Sequence, residues 1–183
     1  MAITFITGNA GKFSEARALL EGVDLIQENH DLPEIQSLDP REVMREKLRT
    51  AAALGIVPCI VEDSSLVLAC LADKLPGPFI KWFEDVLGLE GLVELTCKYG
   101  DMRASVRTLV GYADAENAMR FFEGELPGMI VPPRGDKDFG YGPIFLPEGS
   151  DKTFGEQTRE EKHAISSRGI AFRKLRDHLE DSR

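Results

Sequence analysis

The stretch Ala2-Ile3-Thr4-Phe5-Ile6-Thr7-Gly8-Asn9-Ala10-Gly11-Lys12 decides the fold class. Residues 2–7 form a short run rich in β-branched and aromatic side chains, and Gly8-Asn9 breaks it, so the segment reads as a strand entering a turn. From Lys12 onward Phe13, Ala16, Leu19 and Leu20 recur at helical spacing until Gly22 ends the pattern. A strand that passes through small residues into a helix opens an α/β fold.

Working outward, the alternation continues. Residues 23–26 read as a second strand. Asp39 caps a helix with Pro40 at its first position, Val43, Met44, Leu48, Ala51 and Ala52 give it an apolar face, and Gly55 stops it. Cys59-Ile60-Val61 reads as an apolar strand with Glu62-Asp63 at its carboxyl end, and residues 66–71 as another. After Pro76-Gly77-Pro78 comes a helix carrying Phe79, Phe83, Val86 and Leu87, then a further helix over 89–99 that ends at Gly100. Residues 103–113 alternate as a strand, with 118–123 and 129–131 as antiparallel neighbours. Residues 132–142 are loop. A terminal helix is expected from about Glu160 to the end, with Ile165, Phe172, Leu175 and Leu179 on one stripe. With no internal repeat and no linker, the expectation is one α/β domain over residues 1–183. Its mixed sheet is expected to bend into two lobes with a central cleft.

Composition narrows the function. Lys and Arg number 22 against 31 Asp and Glu, a formal charge of -9 that opposes a duplex-coating nucleic-acid binder. A small polyphosphate remains compatible, because a few local cations and a metal outweigh the global field. Cys59, Cys70 and Cys97 are odd in number and lack ligand spacing, as expected of small buried hydrophobes in a reducing compartment. No apolar run approaches the ~20 residues that span a bilayer. Residues 1–5 lack a basic, then long apolar, leader, so the expected location is the cytoplasm.

Five segments carry candidate chemistry. Thr7-Gly8-Asn9-Ala10-Gly11-Lys12 lets backbone N–H groups and a helix N-terminus approach a phosphate, with Lys12 as a point charge. It is not a Walker A loop, since only two residues separate its glycines, and a plain Gly/Asn turn beside a solvated lysine reads equally well. Glu62-Asp63-Ser64-Ser65 puts carboxylates and hydroxyls at a strand end, where a divalent ion would offset the charge. Glu34 is a third carboxylate that can share such an ion. Leu75-Pro76-Gly77-Pro78-Phe79-Ile80-Lys81-Trp82-Phe83 reads as a braced segment presenting Lys81. Phe139-Gly140-Tyr141-Gly142-Pro143 offers aromatics to a base. Lys162 and Ser166 share a helical face, but Arg168 points away on an unbroken helix. Lys162 and Arg168 meet one ligand only if the helix starts later or bends. His30, His163 and His178 show no ligand spacing, and no nucleophile elbow supports covalent catalysis.

Taken in order, Thr-Gly-Asn-x-x-Lys, Leu-Pro-Glu, Glu-Asp-Ser, Leu-Pro-Gly-Pro-Phe-Ile-Lys-Trp-Phe and Phe-Gly-Tyr resemble the motifs of the inosine triphosphate pyrophosphatase family, from Thr7 to Arg168. The resemblance implies an elongated mixed-sheet domain, a homodimer, and Mg²⁺-dependent (or Mn²⁺-dependent) hydrolysis of inosine, xanthosine and deoxyinosine triphosphates to monophosphate and pyrophosphate. It implies phosphate binding by Thr7, Gly8, Asn9, Lys12, Lys47, Ser64 and Lys81. Glu34 and Asp63 would hold the metal, with Asp63 and Lys12 catalytic. Phe139, Gly140, Tyr141, Gly142, Lys162, Ser167 and Arg168 would form the base site.

Two positions depart from that pattern: Gly142 stands where the family has Asp, and Ser167 where it has His. Both fall in the inferred base site, and unpaired buried polar atoms set discrimination there. Two other readings therefore stand beside the leading one. One is a paralogue acting on another or modified nucleotide, and the other is a nucleotide-binding protein without turnover.

Overall fold

The computed structural model describes residues 2–181. Among these lie β1 (Ile3–Ile6), α1 (Ala10–Leu19), β2 (Leu25–Glu28), α2 (Pro40–Ala53), β3 (Cys59–Leu68), β4 (Pro76–Gly77) and α3 (Ile80–Tyr99). They are followed by β5 (Arg103–Ala113), β6 (Met119–Ile130), β7 (Phe145–Pro147), α4 (Arg159–Ile165) and α5 (Ser167–Asp181). The strands make one seven-stranded sheet in the order β2-β1-β3-β5-β6-β7, with β4 paired to β3. Because β1 runs parallel to β2 and β3, while β3–β4 and β6–β7 are antiparallel, the sheet is mixed, as expected.

The described chain falls into two compact units. One is drawn from residues 2–63, 108–124 and 168–181, the other from Ser64–Arg107 and Glu125–Ser167.

In the first unit strand alternation sorts the core. Ile3, Phe5, Ile60, Val110 and Tyr112 pack with Ala16 and Leu20 of α1 and with Ala171, Phe172 and Leu175 of α5. Their neighbours Ile6, Cys59, Val61, Leu109 and Ala113 pack with Met44, Leu48 and Ala51 of α2. Successive side chains point to opposite faces of a strand, so one sheet feeds two helical layers. Each fully buried Leu or Phe contributes roughly 1.5–3 kcal/mol from burial alone. Asp39 caps α2 as read from the sequence, accepting from the Arg41 amide at 2.9 Å.

The second unit has its own core of Leu66, Leu68, Ile80, Leu92, Val106, Ile144, Phe145 and Phe154 among others. Gly88 sits at φ 66° inside α3 and kinks it, which reconciles the two helices read from the sequence with one continuous element.

Four boundaries differ from the reading of the sequence. The polar run 62–65 does not end a strand: β3 continues through it to Leu68, followed by a short 3-10 turn at Ala69–Leu71. β6 likewise runs unbroken through residues 124–128, joining the stretches 118–123 and 129–131 that read as separate strands. Phe145–Pro147 forms a strand whose three residues are too few to show a period. The terminal helix is split at Ser166, whose ψ of 151° is extended, and α4 begins under a capping box. There Thr158 Oγ1 accepts from the Glu161 amide and the Thr158 amide donates to Glu161 Oε2. Residues 182 and 183 of the expected terminal helix lie outside the described residues. No helix among the described residues is long and apolar enough to cross a membrane.

Candidate active site

The turn from Thr7 to Lys12 is braced by its own side chains. The Asn9 amide donates to Thr7 Oγ1 and the Lys12 amide to Asn9 Oδ1, each at 3.1 Å, so Asn9 serves as the N-cap of α1. Gln27 Nε2 donates to the Thr7 carbonyl at 2.9 Å, tying the turn to the end of β2. A Cβ on Gly8 would lie 2.9 Å from Asn29 Oδ1, so a larger residue there would have to displace the Asn29 side chain. Such a fixed helix start presents a partial positive charge to an anion.

Glu62 and Asp63 are adjacent on β3 and so face opposite sides of the sheet. Glu62 follows Ile60 to the α1 and α5 side. Its side chain is wholly buried, with Arg168 Nε and Nη2 each 3.3 Å from a different carboxylate oxygen. Arg168 Nη1 also donates to the buried Glu15 of α1, and Lys12 Nζ lies 3.6 Å from Glu62 Oε1. Two cations thus meet two carboxylates, and the group is balanced.

Asp63 follows Val61 to the α2 side. Burial pushes its carboxyl above the ordinary range, opposed by the nearby charges of Lys12 and Lys47 and reinforced by Glu62 and Glu34. Glu34, itself mostly exposed, takes Lys47 Nζ at 2.5 Å. The acidic residues 34 and 63, far apart in sequence, therefore share one neighbourhood with Lys12 and Lys47. Lys12 is shared with the Glu62 group, while the carboxylates of Glu34 and Asp63 lie about Lys47, and a divalent ion suits such a pair of carboxylates. Their oxygens are hard donors of the kind Mg²⁺ and Mn²⁺ prefer. Among the described residues no group of three or more His, Cys, Asp or Glu could hold a metal by itself. The donor set therefore fits an ion whose shell is completed by water and substrate phosphate, the usual arrangement for Mg²⁺.

The second unit holds the other residues singled out from the sequence. Lys81 is exposed in the first turn of α3, and Ser64 is half-buried in β3. Gly77 lies between them in sequence at φ 58°, and a Cβ there would lie 2.4 Å from the Lys74 carbonyl oxygen, so only glycine closes this segment onto β3. In the aromatic loop Phe139 is half exposed, whereas Tyr141 packs on the unit's core. Lys162 is buried: its Nζ lies 5.3 Å from the Phe139 ring centre and 5.6 Å from that of Phe154, and bonds Asp138 Oδ1 at 2.7 Å. Ser167 is buried at the start of α5, immediately after the break at Ser166. That break interrupts the helix between Lys162 and Arg168, which on an unbroken helix would point in different directions. Arg168 itself lies in the first unit, bonded to Glu62 and Glu15.

Three participants escaped the sequence reading. Glu15 sits in α1 between apolar positions, where a glutamate reads as solvated, and its partner is 153 residues away. Glu84, beside Gly140, carries a buried Oε1 without a hydrogen-bond partner. Asp138 precedes the aromatic motif with no pattern of its own; only the unusual Gly142 hinted at altered packing there.

The sequence profile of the Ham1 family matches residues 3–178. The chain is 36% identical to an inosine triphosphate pyrophosphatase of Schizosaccharomyces pombe, covering all of this chain and 97% of that protein. It is 38% identical to the protein of the same description in Scheffersomyces stipitis, with 97% of each covered. Among solved structures, that of a HAM1 protein from Coxiella burnetii superposes with TM-score 0.84 at 26% identity over 99% of both chains. A nucleoside-triphosphatase, or dITP/XTP pyrophosphatase, from Mycobacterium abscessus gives 0.70 at 28% over 96% of this chain and 98% of that one. The mixed sheet, the braced turn before α1 and this full-length likeness agree, and the chain belongs to the Ham1 family.

Proposed function

We propose that this chain is a hydrolase that converts the triphosphates of deaminated purines, such as inosine, xanthosine and deoxyinosine, to the monophosphate and pyrophosphate. The family's named relatives support the reaction class. The observation that carries it is the gathering of Lys12, Lys47, Glu34 and Asp63 about one half-buried carboxyl. No protein nucleophile is required: water attacks the α-phosphorus in line, oriented and deprotonated by Asp63. Lys12 and Lys47 stabilise the charge that develops on the departing pyrophosphate, together with the amides of the Thr7–Lys12 turn. The motif resemblance assigns a phosphate-binding role to Lys81 and Ser64 as well. Mg²⁺ or Mn²⁺ on Glu34 and Asp63 supplies Lewis-acid polarisation of the phosphate oxygens when bound. Phe139 and Tyr141 flank the base, with Gly140, Gly142, Lys162 and Ser167 around it. Arg168 acts through Glu62, fixing the carboxylate beside Lys12.

The protein works as one catalytic domain, pairs as a homodimer and operates in the cytoplasm. The exposed Trp82 and Val86, one turn apart on α3, offer apolar surface for pairing. Phosphorus NMR of the protein with Mg²⁺ and inosine triphosphate tests the reaction. Pyrophosphate and monophosphate signals are expected, and orthophosphate with a diphosphate would refute the bond assignment.

A further inference from the structure

Position 142 is glycine for lack of room. Its backbone has no left-handed torsion, yet a Cβ there would lie 2.3 Å from Asp138 Oδ2 and 2.7 Å from Asp138 Cβ. The Asp138 carboxylate therefore fills the volume that a side chain at 142 would need. Its other oxygen, Oδ1, bonds Lys162 Nζ at 2.7 Å, and both side chains are about nine-tenths buried. Phe139, next in sequence, covers the ammonium with its ring. An acceptor, a donor and an aromatic ring thus lie together in one unit.

We infer that Asp138 is a specificity-determining residue of the base site: its carboxylate replaces the side chain that Gly142 lacks and, beside Lys162, selects the lactam edge of a 6-oxopurine. This rests on the hydrolase reading above. A lactam edge carries a ring N–H next to a carbonyl oxygen. The N–H donates to Asp138 and the carbonyl accepts from the Lys162 ammonium. Adenine inverts both partners, placing a ring-nitrogen lone pair against the carboxylate and an amino group against the ammonium. Sites that leave buried polar atoms unpaired discriminate far more strongly than apolar pockets do.

The test measures kcat/KM for inosine and adenosine triphosphates, with calorimetry of the two monophosphates as a readout independent of turnover. Asp138→Asn should lower the inosine-to-adenosine ratio at least about tenfold in both measurements. Gly142→Asp alone should lower it too, since two carboxylates then compete for one volume. Asp138→Gly with Gly142→Asp should bring the ratio back to within about threefold of the starting protein. Glycine is required at 138 because Asp138 Cβ itself blocks position 142. Equal losses for both nucleotides, an unmoved ratio, or a swap that leaves the ratio low would overturn the inference. If Asp138→Asn does not fold, the swap variant decides alone. Absence of pyrophosphate release by the unaltered protein would instead defeat the hydrolase reading, while the monophosphate binding ratio still judges Asp138.

Discussion

Arg168 and Glu62 lie 106 residues apart, yet the guanidinium spans both oxygens of a carboxylate with no solvent exposure. The pair joins the first turn of α5 to the middle of β3, and Glu15 of α1 closes it from the other side. Removing one member of a buried ion pair leaves the other charge desolvated and uncompensated, at a cost of about 3–5 kcal/mol. Arg168→Met should therefore lower the free energy of unfolding obtained from urea denaturation by an amount in that range. Glu62→Met with Arg168→Met should recover part of it, because only one of the two buried carboxylates that faced the guanidinium, Glu15, then remains. A single variant as stable as the starting protein would show that the pair is not holding α5 to the sheet.

Much of the first unit was legible because one physical rule dominates each feature. Asp39 followed by Pro40 caps a helix whatever the tertiary context, and the apolar spacing of Phe13, Ala16 and Leu20 admits only a helical reading. The continuity of β3 through Glu62 and Asp63 was hidden because charge at a strand centre is normally excluded. Only long-range partners make it tolerable: Arg168 for Glu62, and Lys12 and Lys47 for Asp63. The residues proposed to bind phosphate stand in motifs, but that Glu62 and Asp63 face opposite sides of β3 required the strand to be seen whole. Asp138 and Glu15 carried no local signal, since each owes its role to a contact made by folding.

Asp63→Asn removes the proposed base while keeping its shape, and the rate should fall about 10²–10⁴-fold. Burial raises the carboxyl of Asp63 above 3.8, and only the ionised form accepts a proton from water. The acid limb of the rate profile should thus sit above the range of an ordinary aspartate, and the residual activity of the variant should lack it. A raised carboxyl makes its contribution to stability below the unfolded value and loses it as pH rises. The variant should accordingly unfold at a higher temperature than the parent at neutral pH. Full activity in the variant would remove Asp63 from the mechanism.

Lys47→Met separates phosphate binding from stability. Its partner Glu34 is three-quarters exposed, so the loss of their ion pair should change stability by about 1 kcal/mol or less. A cation set against a polyphosphate is worth more, and kcat/KM should drop at least about tenfold, equivalent to roughly 1.4 kcal/mol. The loss should be the same for inosine and adenosine triphosphates, because Lys47 is assigned to the part they share. A change in base preference would place Lys47 elsewhere in the site.

Glu84 gives a prediction in pH alone. Its Oε1 is buried without a hydrogen-bond partner, and desolvation, then the charge of Asp85, raises its carboxyl above 4.5, against the bond from the Tyr141 amide. The folded state therefore prefers the protonated acid. Its stabilising contribution is complete below 4.5 and disappears as pH climbs through the raised folded value. Glu84→Gln keeps an acceptor for the Tyr141 amide and abolishes the charge. Thermal unfolding of the variant should match that of the parent near pH 4 and exceed it at pH 8, the gap opening between those limits. A gap that is constant with pH would mean that the carboxylate is solvated in the folded protein, and that Gly140 and Tyr141 are held by backbone contacts instead.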